Sequence, residues 1–294
     1  MTASLTHYKF KIRVGLKALA SFNFKLQVSQ DFITSIDTET SAMEEPLQMG
    51  DKCDGFLFKD KKINQSIPRL KIGKFIRYTP HVYNHCYINL NTSFDEYKKK
   101  FSSKSLSTIK RKINKCRTGG VIDFREYRTA EDVDAFFDIA IPLSGLTYQE
   151  RLLDAGLPAT NDFQQESKKL AEKDNLRAYI LFIDGKAAAY LYCPVKNGVL
   201  LYSYLGYHPD TAHMSAGTVL QWLALEQIFA ENKFSLFDFT EGESPHKRYF
   251  ATDTKLCADV FFFRISIKSV VAVFCHFAVE ATISLAKKIL KKNN

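Results

Sequence analysis

The apolar positions of this chain change period several times, and those changes set out its elements. Residues 121–127 alternate as a strand does, and Thr129 followed by two acids reads as an N-cap opening a helix that runs through Asp138. A second helical stretch covers 162–173. Residues 177–183 and 186–193 are strands joined by Asp184-Gly185, a pair that tolerates positive φ and predicts a tight hairpin. Asn197-Gly198 turns the chain into a strand at 199–204. A helix follows at 215–231, with Leu220, Leu223, Ala224 and Ile228 on one face. A short buried strand at 235–239 and a last strand at 255–265 complete the series. The tally predicts a mixed α/β (α+β) domain, a mostly antiparallel sheet flanked by helices.

The flanks read differently. Residues 1 to about 90 hold short strand-like runs at 56–58, 72–78 and 86–90 between Gly, Pro and Asn, with a polar acidic stretch at 37–45. Basic residues dominate 97–117, where Leu106, Ile109 and Ile113 fall at helical spacing, a basic amphipathic helix. At the C-terminal side Val270, Val271, Val273, Phe274, Phe277, Ala278, Ala281, Leu285 and Ile289 form an apolar stripe. Glu280 and His276 interrupt it, and Lys287, Lys288, Lys291 and Lys292 finish it. The uninterrupted apolar run is shorter than the roughly 20 residues a spanning helix needs. Contact with a membrane surface through 268–292 fits better than a crossing. The expected organisation is a strand-rich region of uncertain fold at 1–94, a catalytic domain at 95–266 and a basic amphipathic helix at 267–294.

Composition narrows the function classes. With 46% hydrophobic and 13% aromatic residues in 294, the chain has material for a sizeable core, which argues against disorder. A net charge of +9 favours anionic partners. The six cysteines are scattered, with no CxxC and no Cys/His cluster at metal-ligand spacing, so no metal site or disulfide framework is expected. Reduced thiols and the absence of a continuous apolar leader point to a cytoplasmic protein, peripheral at the inner membrane face if the C-terminal helix engages lipid.

The candidate chemistry lies between 200 and 251. Ser215, Ala216, Gly217 and Thr218 open a helix with backbone N–H groups and little side-chain bulk, which suits a bound phosphate. Asp238, between Phe237 and Phe239, points to the sheet face opposite those aromatics, where a carboxylate can take a proton from an attacking amine or hydroxyl. Glu241 and His246 sit in a Gly/Pro turn as candidate bases or substrate contacts. Lys247 offers a fixed positive charge. Tyr202 and Tyr204 share a face of their strand and either line one wall of an acceptor cleft or pack the core.

An ordered set of features carries a resemblance: Gly185-Lys-Ala-Ala-Ala, then Leu201-Tyr-Ser-Tyr with Gly-Tyr-His-Pro-Asp, then Ser215-Ala-Gly217 opening a helix. Phe237-Asp238-Phe-Thr-Glu-Gly242 and His246-Lys247 complete it. From about Asp95 to Ile265 the chain resembles the GNAT acyltransferase superfamily, and within it the CelD-like acetyltransferases of cellulose biosynthesis. It departs from the commoner superfamily pattern in having a single glycine in the helix-opening turn. The resemblance implies acetyl-CoA or another acyl-CoA as co-substrate, with its pyrophosphate on Ser215 to Thr218 and no metal. It also implies direct transfer in a ternary complex, Asp238 or Glu241 as base, and Lys247 facing the acyl carbonyl. The acceptor it implies is a sugar or other cell-surface polysaccharide precursor, including nucleotide- or lipid-linked forms. Two alternatives stay open. One is a Fem-like transferase using aminoacyl-tRNA, the one reading that calls for nucleic acid. The other is a membrane-surface binding protein whose transferase fold has lost its chemistry.

Overall fold

A computed structural model of the chain describes residues 4–15, 17–30, 53–63, 70–147 and 156–292; the acidic stretch at 37–45 lies outside them. Two compact units emerge. One comprises Met1–His85, Glu241–Glu243 and Lys255–Asn294, the other Cys86–Thr240 and Ser244–Thr254. Most of the last strand and the C-terminal helix thus group with the N-terminal strands, whereas the expected boundaries at 94 and 266 set all three apart.

In the first unit, β1 (Ser4–Val14) and β2 (Lys17–Gln30) form an antiparallel hairpin paired from Ser4↔Val28 to Val14↔Lys17, with a register shift between Ile12 and Arg13. Phe10 and Ile12 are buried while Lys9, Lys11 and Arg13 between and beside them are exposed, the two-residue period of a half-buried strand. β2 runs parallel to β3 (Gly55–Lys62), and β3 pairs antiparallel with β13 (Asp253–Arg264). β13 also pairs with β5 (Phe75–Tyr78), itself hairpinned to β4 (Leu70–Ile72). Both faces of β13 are covered. Phe261 and Phe263 join Phe10, Phe24 and the helix residues Ala272 and Val273, while Val260 and Phe262 join Phe56 and Phe75. That helix, α7 (Ile267–Lys292), closes the chain.

The second unit is a three-layer α/β/α arrangement. Its sheet runs β6 (Val82–Asn89), β12 (Leu236–Asp238), β10 (Val199–Leu201), β9 (Lys186–Lys196), β8 (Leu176–Ile183), β7 (Ile122–Tyr127). Apart from the parallel β10–β12 pair, these neighbours are antiparallel. Alternation decides which layer each side chain meets. Tyr179, Leu181, Leu191 and Cys193 face α1 (Phe94–Lys98), α2 (Ser103–Thr118) and α5 (Ala216–Glu231). Ala178, Ile180, Tyr190 and Tyr192 face α3 (Ala130–Gly145) and α4 (Asn161–Glu172). The two predicted turns have the φ values their residues permit, 50° and 72° at Asp184-Gly185 and 52° and 74° at Asn197-Gly198. The basic stretch at 97–117 is two helices, because Ser102 caps a new one by accepting from Ser105 N–H.

Arg177 anchors the far end of α5. Its side chain is fully buried, and its Nε and Nη2 donate to Glu231 at 3.0 and 2.6 Å while Nη1 donates to Asp174 at 2.7 Å. Burial alone would raise the Asp174 pKa, but hydrogen bonds from Lys233 and Arg177 hold it well below the usual carboxylate range.

Candidate active site

The site lies where two parallel strands part. β10 and β12 are in register from Val199↔Leu236 to Leu201↔Asp238, and Tyr202 N–H adds a last link to Asp238 O at 2.8 Å. The strand then breaks at 202–203, and its continuation β11 (Tyr204–Tyr207) stays beside β9, which β10 also pairs, but leaves β12. A cavity of about 520 Å³ occupies the gap. Its walls include Tyr202 and Tyr204, the residues Ser215 to Thr218, and Ser244, His246 and Lys247 beyond β12.

The break separates the two tyrosines. As a continuous strand 199–204 would place Tyr202 and Tyr204 on one face; instead Tyr202 packs with the α5-side core and Tyr204 with the α3/α4-side core. Both still line the cavity. Burial raises both phenol pKa values.

A 3₁₀ turn at Pro209–Met214 leads into α5 through Ser215, whose φ of 60° and ψ of 39° are left-handed. That conformation costs a non-glycine residue about 1 kcal/mol. The Ser215 side chain makes no capping bond; its carbonyl instead accepts from Thr218 N–H at 2.9 Å and Val219 N–H at 3.1 Å. The N–H groups of Ala216 and Gly217 have no acceptor among the described residues. A Cβ on Gly217 would lie 3.2 Å from Tyr207 Cδ1 and 3.3 Å from Leu205 Cδ2, so glycine permits the close approach of the helix start to β11. The helix therefore presents donors and partial positive charge to the cavity.

Cations gather at the same place. Lys112 of α2 extends its Nζ to 3.5 Å from Thr218 Oγ1, and Lys115 donates to His213 O at 2.8 Å. Lys247 and His246 sit on α6 (Pro245–Phe250), capped by Ser244 Oγ accepting from Lys247 N–H. Tyr97 and Lys100 of the α1 segment tie α6 down by donating to Phe250 O and Tyr249 O, each at 2.8 Å. His246 is held neutral. Burial first, then the charges of Lys112 and Lys247, push its pKa down to about 4, and its Nε2 has no hydrogen-bond partner among the described residues.

The two acids expected here are not among the residues lining this cavity. Asp238 is 1% exposed and its Oδ1 accepts from Thr240 N–H at 2.8 Å, closing a turn at the end of β12. Glu241 belongs to the first unit, where it accepts from Lys59 Nζ at 3.0 Å and lines another cavity with Tyr8, Tyr83 and Asp259. The missed participant is Lys112. Its signal was its position three residues after Ile109 and one before Ile113, at the border of the apolar stripe of α2, where a lysine head reaches over the core edge. Among the described residues no group of His, Cys, Asp and Glu is arranged to hold a metal. The arrangement can bind an anion at the start of α5, accept a proton at His246 Nε2 and stabilise developing negative charge near Lys247.

Known proteins resemble the chain in fold and in one sequence segment. The C-terminal domain (DUF2156) of a candidate lysylphosphatidylglycerol synthetase from Agrobacterium fabrum is 11% identical, with 75% of this chain and 71% of that one covered and a TM-score of 0.49. FemX is 9% identical, covering 73% of each chain, TM-score 0.49. A GCN5-related N-acetyltransferase from Kribbella flavida is 13% identical, covering 65% and 61%, TM-score 0.36. At such identities and scores these likenesses carry no argument about function. No curated protein matches the sequence. Residues 103–248, which hold α2, the strands β10 and β11, the start of α5 and the His246-Lys247 pair, match the family described as acetyltransferase (GNAT) domain, and the protein is an acyltransferase.

Proposed function

We propose that the protein transfers an acyl group, acetyl in the simplest case, from acyl-CoA directly to a hydroxyl or amine of a small acceptor. The observation that carries this reading is the meeting, in one cavity, of Ala216 and Gly217 at the helix start, Lys247 and a neutral His246 whose Nε2 has no partner among the described residues, with Lys112 reaching Thr218 at its edge. The amides and Lys112 would take the pyrophosphate of the cofactor. The acceptor oxygen or nitrogen would attack the thioester carbonyl while its proton passes to His246 Nε2, and Lys247 would stabilise the tetrahedral oxyanion. The carbon–sulfur bond then breaks and the CoA thiolate leaves, taking up the proton. Asp238 serves here by shaping the end of β12, and Glu241 takes no part. A sugar unit of a cell-surface polysaccharide, free or carried on a nucleotide or lipid, is the proposed acceptor, in keeping with the CelD-like pattern of 237–247. A cytoplasmic location, where acyl-CoA is available, goes with it.

A thermal-shift series with acetyl-CoA, longer acyl-CoAs and free CoA tests the reading. A ligand at a hundred times its Kd stabilises by about 2.7 kcal/mol, so the melting temperature rises with concentration. If no CoA species shifts it, the reading fails.

One observation favours a second reading. Lys104, Lys110, Arg111, Lys115 and Arg117 are exposed along α2, a basic stripe suited to the backbone of a tRNA carrying an aminoacyl donor. Binding of tRNA that weakens steeply with salt, together with no thermal response to CoA, would select it.

A further inference from the structure

α7 is apolar on two opposite sides. One side is spent on the fold. Ala272 and Val273 are buried with Phe10, Phe24 and Phe263, and buried His276 has its Nδ1 2.7 Å from Tyr78 Oη. The other side is exposed. Ile267 is 87% exposed, Phe274 65%, Leu285 60%, Ile289 54% and Val270 47%. At 100° per residue these five fall on one stripe centred opposite Ala272 and His276. Large apolar side chains in a continuous exposed stripe mark a contact surface.

We infer that this stripe seats the protein in the interface of an anionic lipid membrane, with α7 lying in the membrane plane. Charge chooses the occupant. The helix contains one acid, Glu280, which is half-buried and lies off the stripe, whereas the sequence places Lys287, Lys288, Lys291 and Lys292 in its last turns. Two copies packed in parallel would bring those lysines together. Packed antiparallel, they would set them against the end that carries Lys268. Neither arrangement supplies an opposite charge, and anionic headgroups do. The packed side decides the orientation. By length and composition Ile267–Ala286, with mean hydropathy 1.7, is sufficient to cross a bilayer. Crossing, however, would strip Ala272 and Val273 from the sheet, and an in-plane helix keeps them there. The inference does not depend on the acyl-transfer reading.

The test is co-sedimentation of the full chain with vesicles of phosphatidylglycerol and phosphatidylcholine, and with vesicles of phosphatidylcholine alone. Binding to the anionic vesicles is expected, with a loss of about tenfold or more in Phe274→Glu/Leu285→Glu, because both side chains leave the apolar layer. Lys287→Glu/Lys288→Glu should weaken binding to the anionic vesicles while leaving the weaker association with neutral ones unchanged. An unchanged thermal midpoint of each variant shows that it folds. Failure of the wild-type chain to sediment with anionic vesicles overturns the inference, and so does equal binding to both vesicle types. A concentration-dependent dimer that Phe274→Glu/Leu285→Glu dissociates overturns it in favour of a second copy. A thermal response to CoA without vesicle binding would leave acyl transfer standing and this inference refuted.

Discussion

The Nζ of Lys112 stands 3.5 Å from Thr218 Oγ1, so the basic helix α2 delivers a cation to the first turn of α5. Burial and the neighbouring Arg111 already lower the Lys112 pKa, and an anion bound there would relieve that repulsion. Lys112→Ala should weaken CoA binding by up to about fivefold, the range for a partly exposed ion pair. Lys112→Arg should retain most of the affinity. Calorimetric titration of free CoA checks both. Equal affinity in wild type and Lys112→Ala would remove Lys112 from the site.

His246 gives the site a pH signature. Its folded pKa of about 4 lies below the ordinary 6.5, so as pH falls the unfolded chain takes up this proton first. The resulting stability is full above about pH 6.5 and is lost progressively as pH falls toward 4. His246→Gln should flatten that part of the stability curve. In the free protein, NMR titration of the ring should find the low value. Bound CoA, by neutralising Lys112 and Lys247, should move it upward. A ring that titrates near 6.5 with and without CoA would contradict the proposed electrostatics.

How far the sequence reveals all this depends on the range of the interactions. The hairpin at Asp184-Gly185 and the cap at Thr129 are local chemistry, and both are legible. The alternation of Phe10 and Ile12 with Lys9, Lys11 and Arg13 is local too, and it marks the β1 strand. The break at 202–203 is not legible, because it arises when Tyr202 pairs with Asp238, a residue far along the chain, while Tyr204 to Tyr207 follow β9. For the same reason spacing alone puts Asp238 and Glu241 with Lys247. Only the paired strands show Asp238 closing its own turn, and only the long-range pairing with Lys59 claims Glu241. The stripe border marks Lys112 as a reaching lysine, but its partner Thr218 lies about a hundred residues away in sequence, which no local pattern encodes.

Arg177 should be structurally indispensable despite lying at the opposite end of α5 from its start at Ala216. Arg177→Ala would take from mostly buried Glu231 its close cation, while Asp174 keeps Lys233 and Arg128. Breaking a buried ion pair from one side costs about 3–5 kcal/mol. Arg177→Met, which fills the space over Phe234 that the guanidinium covers at 5.1 Å, should recover part of the packing but not the charge balance. Urea unfolding, read by the midpoint at constant slope, measures both.

Gly206 tests whether β11 holds the cavity open. A Cβ at this position would overlap the Tyr190 ring and come 2.8 Å from Thr147 Cγ2. Tyr190 cannot easily withdraw: it is 2% exposed, its hydroxyl donates to Ser144 Oγ at 2.9 Å, and its ring lines the cavity. Overpacking of this kind costs about 1–3 kcal/mol. Gly206→Ala should therefore lower the melting temperature and, by displacing Tyr190, weaken acceptor-dependent turnover more than CoA binding. Tyr190→Leu removes the ring that the new methyl would strike. The double variant should accordingly be less destabilised than the sum of the single ones, by about 0.5–3 kcal/mol if the two sites touch as described. Strict additivity would mean that the strain of Gly206→Ala is relieved elsewhere, and that the glycine is not what lets β11 lie against Tyr190.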